Sequence, residues 1–256
     1  MRKRILETIL ATLELLDFVL ALWQGGSAAH GHTDEWSDLD IEVIVEDDHV
    51  QETFDILEES LKTISEITFK FVVPEPTWHG HSQCYYQLAG VSPFLVIDFV
   101  VMKLSSPNRF LEVERHGNRV IGFDKANLLV PTPLNRSEYL STMRTRFAQL
   151  SMTFDFLQIQ VKKEINRGHV VEAVANYHAY TLQPLVELLG MVYQPYRYDF
   201  RNAKYFSRDF PLEVVALVEP LFCVMDLTDL VKKQELAKLL FAETLSRAED
   251  ALQAWK

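Results

Sequence analysis

Cysteine is nearly missing from this chain. Cys84 and Cys223 are the two in 256 residues, far apart and outside any Cys-x-x-Cys spacing, which excludes a disulfide framework and a thiolate metal site. Long hydrophobic runs are missing as well, since no stretch approaches the ~20 apolar residues of a membrane helix. The opening "MRKRILETILATLELLDFVLALW" is interrupted by Glu7, Glu14 and Asp17, and no small-residue cleavage site follows. It reads as an amphipathic helix rather than a leader. Basic charge is also short. With 25 Lys and Arg against 36 Asp and Glu the net charge is −11, so the basic surface that supplies most nucleic-acid affinity is lacking. The expectation is a cytoplasmic protein with neither membrane nor nucleic acid as partner. Such a charge is compatible with a small cationic substrate.

What is there is an ordinary globular composition, 48% hydrophobic and 24% charged, enough for one large domain or two small ones. Up to about residue 130 helical and strand-like patterns alternate. Residues 4–17 have apolar positions at helical spacing, and "FVLALW" fits a helix end or a buried strand. "DLDIEVIVE" alternates strictly, so Leu39, Ile41, Val43 and Val45 share one face, with Asp38, Asp40 and Glu42 on the other. Residues 49–63 read as a helix and "SEITFKFVV" as a strand stopped by Pro74 and Pro76. "CYYQLAG" with "FLVIDFVVMK", and "RVIGF" with "NLLV", predict two hairpins.

Pro131 and Pro133 mark a boundary, and helical patterns follow. Ser137 is placed to cap a long helix ending at Gly168; a second helix spans "VVEAVANYHAYTLQPLVELLG", kinked at Pro184. Two more cover roughly 211–224 and 228–254. The predicted fold is α+β: a mixed α/β domain over residues 1–132, then an all-helical domain over 133–256, with a cleft between them as the natural ligand seat.

The chemistry-bearing stretch is "GGSAAHGHTDEWSDLDIEV". Asp38 and Asp40, two apart on a strand, must sit close together, and each raises the other's pKa unless a cation intervenes. Hard oxygen ligands so arranged suit Mg²⁺, which is commonly held by one or two carboxylates plus substrate phosphates. The glycines of Gly25-Gly26-Ser27 let backbone amides approach phosphate oxygens, and the serine hydroxyl adds a donor. Asp98 lies in "PFLVIDFVVM", the most hydrophobic strand, where a carboxylate needs a cation or metal partner. If that strand adjoins "DLDIEV", three carboxylates converge and could hold two metal ions for in-line phosphoryl displacement.

In these residues the chain resembles the polymerase-β-like nucleotidyltransferases: a Gly-Ser turn, a later Gly, Ser-Asp-x-Asp on a strand, and a third carboxylate on a subsequent strand. Its plan is similar to that of the antibiotic nucleotidyltransferases that modify aminoglycosides and lincosamides. The signature covers residues 25–42 plus Asp98, and the helical half matches in architecture only. The resemblance implies that Asp38, Asp40 and Asp98 bind two Mg²⁺ ions and that Gly26 and Ser27 hold the β- and γ-phosphates. It further implies that a nucleoside monophosphate, AMP from ATP, moves onto a hydroxyl of a small acceptor such as an antibiotic, releasing pyrophosphate. His30 and His32 in the spacer have no role in that pattern.

Other constellations leave alternatives open. Arg197, Arg201, Lys204 and Arg208 would form one basic stripe on a helix, either clamping the triphosphate, chiefly through Lys204 and Arg208, or pairing with surface acids. The general base is Asp98 or Glu172, the latter equally explained as a helix N-terminal acid. Tyr177, Tyr180, Tyr193, Tyr196 and Tyr198 could line an acceptor pocket or pack in a core. The pairs "HGH" at 30–32 and "HGHS" at 79–82 lack the ligand company of a zinc site. The rival functions are AMP transfer to a protein or RNA, as in toxin–antitoxin systems, and a non-catalytic nucleotide-binding interaction protein.

Overall fold

The computed structural model describes residues 1–197 and 203–255. The chain divides into two compact units, Met1–Leu134 and Asn135–Lys256. The first is built on a sheet and the second is helical, an α+β architecture. Among the described residues no helix is long and apolar enough to cross a membrane.

In the first unit, α1 (Arg2–Leu13) leads into β1 (Val19–Gln24), the single turn α2 (Gly26–Ala29) and β2 (Leu39–Val45). Then come α3 (Val50–Lys62), β3 (Ile67–Val72), β4 (Ser82–Leu88), β5 (Ile97–Lys103), a second single turn α4 (Val113–His116) and β6 (Val120–Asp124). The strands form one sheet in the order β3-β4-β5-β2-β1-β6. Strands β2 and β5 run parallel, and the other pairings are antiparallel.

Strand alternation sorts the core into two layers. Leu39, Ile41, Val43 and Val45 of β2 and Ile97, Phe99 and Val101 of β5 face Ile5, Ile9 and Leu13 of α1 and Phe54, Leu57 and Leu61 of α3. Each such aliphatic side chain, fully buried, stabilises the fold by about 1.5–3 kcal/mol. On the opposite face Ala21, Trp23, Ile44, Val100 and Met102 pack under Leu111 and Leu129. Strand β5 is therefore apolar on both sides over Phe99–Met102, as a central strand with both faces covered must be. Towards the N-terminal ends of β2 and β5 the second face carries Glu42, Asp40 and Asp98 where aliphatic residues would continue the layer.

Strands β4 and β5 pair antiparallel, but the second predicted hairpin does not form. "RVIGF" supplies β6, which pairs with β1, and "NLLV" is not a strand. The Asp124 carboxylate accepts the Leu128 and Leu129 amides, each at 2.9 Å, and this satisfies locally the donors a ladder would need.

The second unit contains α5 (Arg136–Arg167), α6 (Val170–Tyr177), α7 (Gln183–Tyr193), the short α8 (Phe206–Asp209), α9 (Leu212–Val218) and α10 (Leu227–Ala254). Gly168 closes α5 in the left-handed region at φ 73°. Its N-cap is Asn135 rather than Ser137: Asn135 Oδ1 accepts the Glu138 amide at 3.3 Å and the Ser137 hydroxyl at 3.0 Å. The kink expected at Pro184 is instead a π turn, His178–Leu182, between α6 and α7. Pro184 lies at the start of α7, and the Tyr180 carbonyl oxygen four residues earlier, which a proline has no N–H to serve, takes its donor from Gln158 instead. Gln158 of α5 secures the widened turn: its Nε2 donates to the Tyr180 carbonyl oxygen at 2.9 Å, and its Oε1 accepts the Thr181 hydroxyl at 2.7 Å.

Candidate active site

Strand β1 ends by delivering Gly25 to β2. The Gly25 amide donates to the Asp40 carbonyl oxygen at 3.2 Å, one step beyond the β1–β2 ladder, and the chain then turns into α2. Gly26 has φ +50°, a region that favours glycine. A Cβ on Gly26 would lie 1.9 Å from Asp40 Oδ2, and one on Gly25 would lie 2.3 Å from Glu42 Oε1. The glycine turn therefore rests directly on two carboxylates, with no room for a side chain.

The return to β2 is fixed at several points. The His32 amide donates to the Ser27 carbonyl oxygen at 2.9 Å. Asp34 Oδ1 accepts the Ser37 hydroxyl at 2.7 Å and the Trp36 amide at 3.0 Å. From α1, Arg2 donates to the carbonyl oxygens of Ser37 and of Asp38, the latter at 2.7 Å. Asp38 thus enters the strand from a loop held at both ends.

Across the sheet, register does what the sequence pattern alone could not specify. Asp40 of β2 is paired with Asp98 of β5, Asp98 with Tyr85 of β4, and Tyr85 with Phe71 of β3. Paired side chains share a face, so one row reads Gly25, Asp40, Asp98, Tyr85, Phe71. Gln83 Nε2 donates to Asp98 Oδ1 at 2.7 Å and to Tyr85 Oη at 2.9 Å.

The electrostatics record how close these acids are. Burial, then Asp40, then Asp98 hold the Glu42 carboxyl well above the ordinary carboxylate range, with the Gly25 amide opposing them. Glu42 Oε2 is buried without a hydrogen-bond partner. Burial first, then the charges of Asp98, Asp40 and Asp38, push the Tyr85 phenol up to about 12. Arg119, which feels the Glu42 charge, directs Nη1 and Nη2 to the carbonyl oxygens of Leu129 and Leu111, each at 2.8 Å.

Asp40 and Asp98 are therefore in register, Asp38 immediately precedes them, and all three act on one phenol. Among the described residues no three His, Cys, Asp or Glu side chains are grouped closely enough to hold a metal ion by themselves. Gly26 and Ser27 belong to α2, and a Cβ on Gly117 would fall 2.6 Å from the Ala29 carbonyl oxygen and 2.8 Å from His30 Cε1. His32 is exposed. Sequence reasoning missed Glu42, Gln83 and Tyr85 as site residues. Glu42 was signalled by its place two after Asp40; the other two depend on the β4–β5 register, which no local pattern carries.

In the second unit, Glu172 lies exposed in the first turn of α6. The predicted basic helix stripe does not form over the described residues, because Tyr205 takes a left-handed φ of 69° ahead of the short α8. Arg201 and Tyr198 lie outside the described residues. Arg197, Lys204 and Arg208 instead gather around the Tyr205 ring at 5.2, 4.9 and 4.0 Å from its centroid, and Arg208 also pairs with Asp209. Of the tyrosines proposed for an acceptor pocket, Tyr177 is a core residue, fully buried with its hydroxyl on the Leu221 carbonyl oxygen at 3.1 Å.

No family model and no curated protein matches this sequence. Among solved structures, the chain is similar to an aminoglycoside 6-adenyltransferase from Bacillus subtilis at 13% identity, covering 99% of this chain and 92% of that one, with a TM-score of 0.43. It is also similar to a spectinomycin adenyltransferase from Enterococcus faecialis, solved with ATP and spectinomycin, at 13% identity. That match covers 96% of this chain and 99% of the other, with a TM-score of 0.35. At this distance the similarity assigns no activity, and the chemistry is read from the strand ends themselves.

Proposed function

We propose that this chain is a Mg²⁺-dependent nucleotidyltransferase that moves AMP from ATP onto a hydroxyl of a small acceptor, with an antibiotic as the leading acceptor class. The observation that carries the reading is the pairing of Asp40 with Asp98 across two parallel strands, with the Gly26 turn seated on Asp40.

The row of residues gives the reaction a direction. The triphosphate lies over Gly26 and Ser27, on the Asp40 side, where the chain approaches without side chains in the way. The acceptor enters from the Tyr85 and Phe71 side, next to Asp98. Its hydroxyl oxygen attacks the α-phosphorus, the bond to the bridging oxygen of pyrophosphate breaks, and the hydroxyl proton passes to the Asp98 carboxylate.

The donor set fits a hard divalent cation: Asp40 and Asp98 in register, with Asp38 beside them, offer only oxygens, and these carboxylates would hold the ion together with the phosphates of the nucleotide. Two Mg²⁺ ions, when bound, would neutralise charge on the attacking and leaving oxygens. The protein's own share is positioning, since an oriented acceptor and nucleotide account for much of such a rate enhancement.

The test incubates the protein with labelled ATP, Mg²⁺ and a panel of hydroxyl-bearing antibiotics. Pyrophosphate release that requires an acceptor, disappears in EDTA and falls at least about 100-fold in both Asp40→Asn and Asp98→Asn is expected. Undiminished turnover in either variant overturns the assignment. Label transferred to protein instead redirects it to a macromolecular acceptor, and nucleotide binding without turnover to a non-catalytic role.

A further inference from the structure

We propose that the turn "TWHGHSQ", residues 77–83, is a device for orienting Asp98, with Gln83 as the positioning residue and His79 as the group that fixes which way the Gln83 amide faces. This rests on the proposed metal-dependent site and adds to it a pair of residues that its motif does not contain.

The proton positions follow from the donors around His79. The His81 backbone N–H donates to His79 Nδ1 at 3.1 Å, so in the neutral ring the proton resides on Nε2. Nε2 lies 3.2 Å from Gln83 Oε1, which can only accept. The Gln83 amide is thereby oriented with its NH₂ group towards Asp98 Oδ1 at 2.7 Å and Tyr85 Oη at 2.9 Å. A reversed amide would set an N–H against the His79 N–H and a carbonyl oxygen against the Asp98 carboxylate, two repulsions at once. One backbone amide thus dictates, through an imidazole, which way the Gln83 carboxamide meets Asp98.

The turn is built to keep the imidazole in place. The Thr77 hydroxyl donates to the His81 carbonyl oxygen at 2.6 Å, and the Gly80 amide donates to the Thr77 carbonyl oxygen at 3.1 Å, with Gly80 at φ 81°. The His79 ring is stacked on His81 at 5.2 Å and met edge-on by Trp78 at 5.1 Å and Phe110 at 5.8 Å. Rotating the ring to release Gln83 would break its contacts with His81 and Phe110. The arrangement has the logic of metal sites in which the carboxylate ligand is itself held by a hydrogen-bond donor, whose loss typically costs about 10–100-fold in metal affinity.

The test is a double-mutant cycle read by metal binding rather than turnover. Mn²⁺ is titrated into protein saturated with a non-hydrolysable ATP analogue, and free Mn²⁺ is followed by electron paramagnetic resonance. Gln83→Leu is expected to weaken binding about 10–100-fold, and His79→Leu less, because the freed amide still reaches Asp98 part of the time. The double variant is expected to be no weaker than Gln83→Leu, whereas His79→Gln, which restores an N–H donor, recovers most of the loss. Gln83→Met serves where the leucine variant fails to fold, checked by circular dichroism. Wild-type affinity in either Gln83 variant, or losses that simply multiply in the double variant, overturns the proposal. A wild-type protein that binds no Mn²⁺ with the nucleotide overturns the metal site itself.

Discussion

Gly26 and Asp40 touch so closely that a single added carbon would fall 1.9 Å from the carboxylate oxygen Oδ2. Backbone and acid are thus built as one surface. Gly26→Ala must both strain a φ of +50° and displace the Asp40 carboxylate from its place beside Asp98. The expected cost is about 1–2 kcal/mol of stability together with a loss of transfer activity of at least about 10-fold. Gly31→Ala is the control: its φ of +69° is similar, yet nothing lies within 4 Å of a Cβ there. It should lose comparable stability and keep its activity, as measured by urea denaturation and pyrophosphate release. Equal activity losses in the two variants would refute the contact argument.

The contrast between β2 and the chain after β6 explains how much could be read from the sequence. Strict alternation in "DLDIEVIV" reflects a strand with one apolar face, and by itself it puts Asp40 and Glu42 on the face opposite Leu39, Ile41 and Val43. The helix stop at Gly168 was equally local. "NLLV" has strand composition but a different fate, because Asp124 takes its amides, and a side-chain cap of that kind leaves no periodic trace. The Asp40–Asp98 pairing joins segments far apart in the chain, so motif resemblance could suggest it while periodicity could not. Gln83 and His79 were invisible for the same reason: their significance is a register between β4 and β5.

Arg146 of α5 grips Glu187 of α7 with two parallel bonds, Nε to Oε1 at 2.6 Å and Nη2 to Oε2 at 2.7 Å. Glu187 is 6% exposed, so removing its partner strands a charge in the helical core. Arg146→Ala is expected to destabilise by about 2–3 kcal/mol, below the full cost of a buried pair because the arginine is partly exposed. Arg146→Met with Glu187→Leu should recover most of that loss. Denaturant midpoints of the single and double variants decide the matter, and a double variant weaker than the single would contradict it.

His81 sets an acid limit on stability. Its ring is 3% exposed, Nε2 has no hydrogen-bond partner, and burial together with the neighbouring His79 lowers its pKa from 6.5 to about 4, against the Asn108 carbonyl that favours the charged form. Between those values the unfolded chain holds the extra proton, so acid favours unfolding. The contribution of the neutral ring is complete above pH 6.5 and is lost progressively down to about 4. At ~1.4 kcal/mol per pKa unit it amounts to about 3 kcal/mol. His81→Asn, which cannot titrate, should show a shallower fall in unfolding free energy between pH 7 and 4.5. Identical slopes in the two proteins would exclude His81 as the source.

Phe71 separates the two substrates of the proposed reaction. It closes the row that begins at Gly25, is 47% exposed, and stacks on Tyr85 with ring centroids 6.4 Å apart. If the nucleotide occupies the glycine end, Phe71 contacts the acceptor alone, offering its face to the C–H surface of a ring-shaped, hydroxylated molecule. Its exposure makes Phe71→Ala cheap for the fold, since an edge-strand side chain half in water contributes little to the core. The variant is therefore expected to raise the acceptor KM about 5- to 10-fold, the equivalent of about 1–1.4 kcal/mol of lost contact, with the KM for ATP unchanged. Phe71→Trp should restore acceptor affinity. A rise in the KM for ATP with the acceptor KM unmoved would reverse the direction of the site and put the nucleobase, rather than the acceptor, on the aromatic pair.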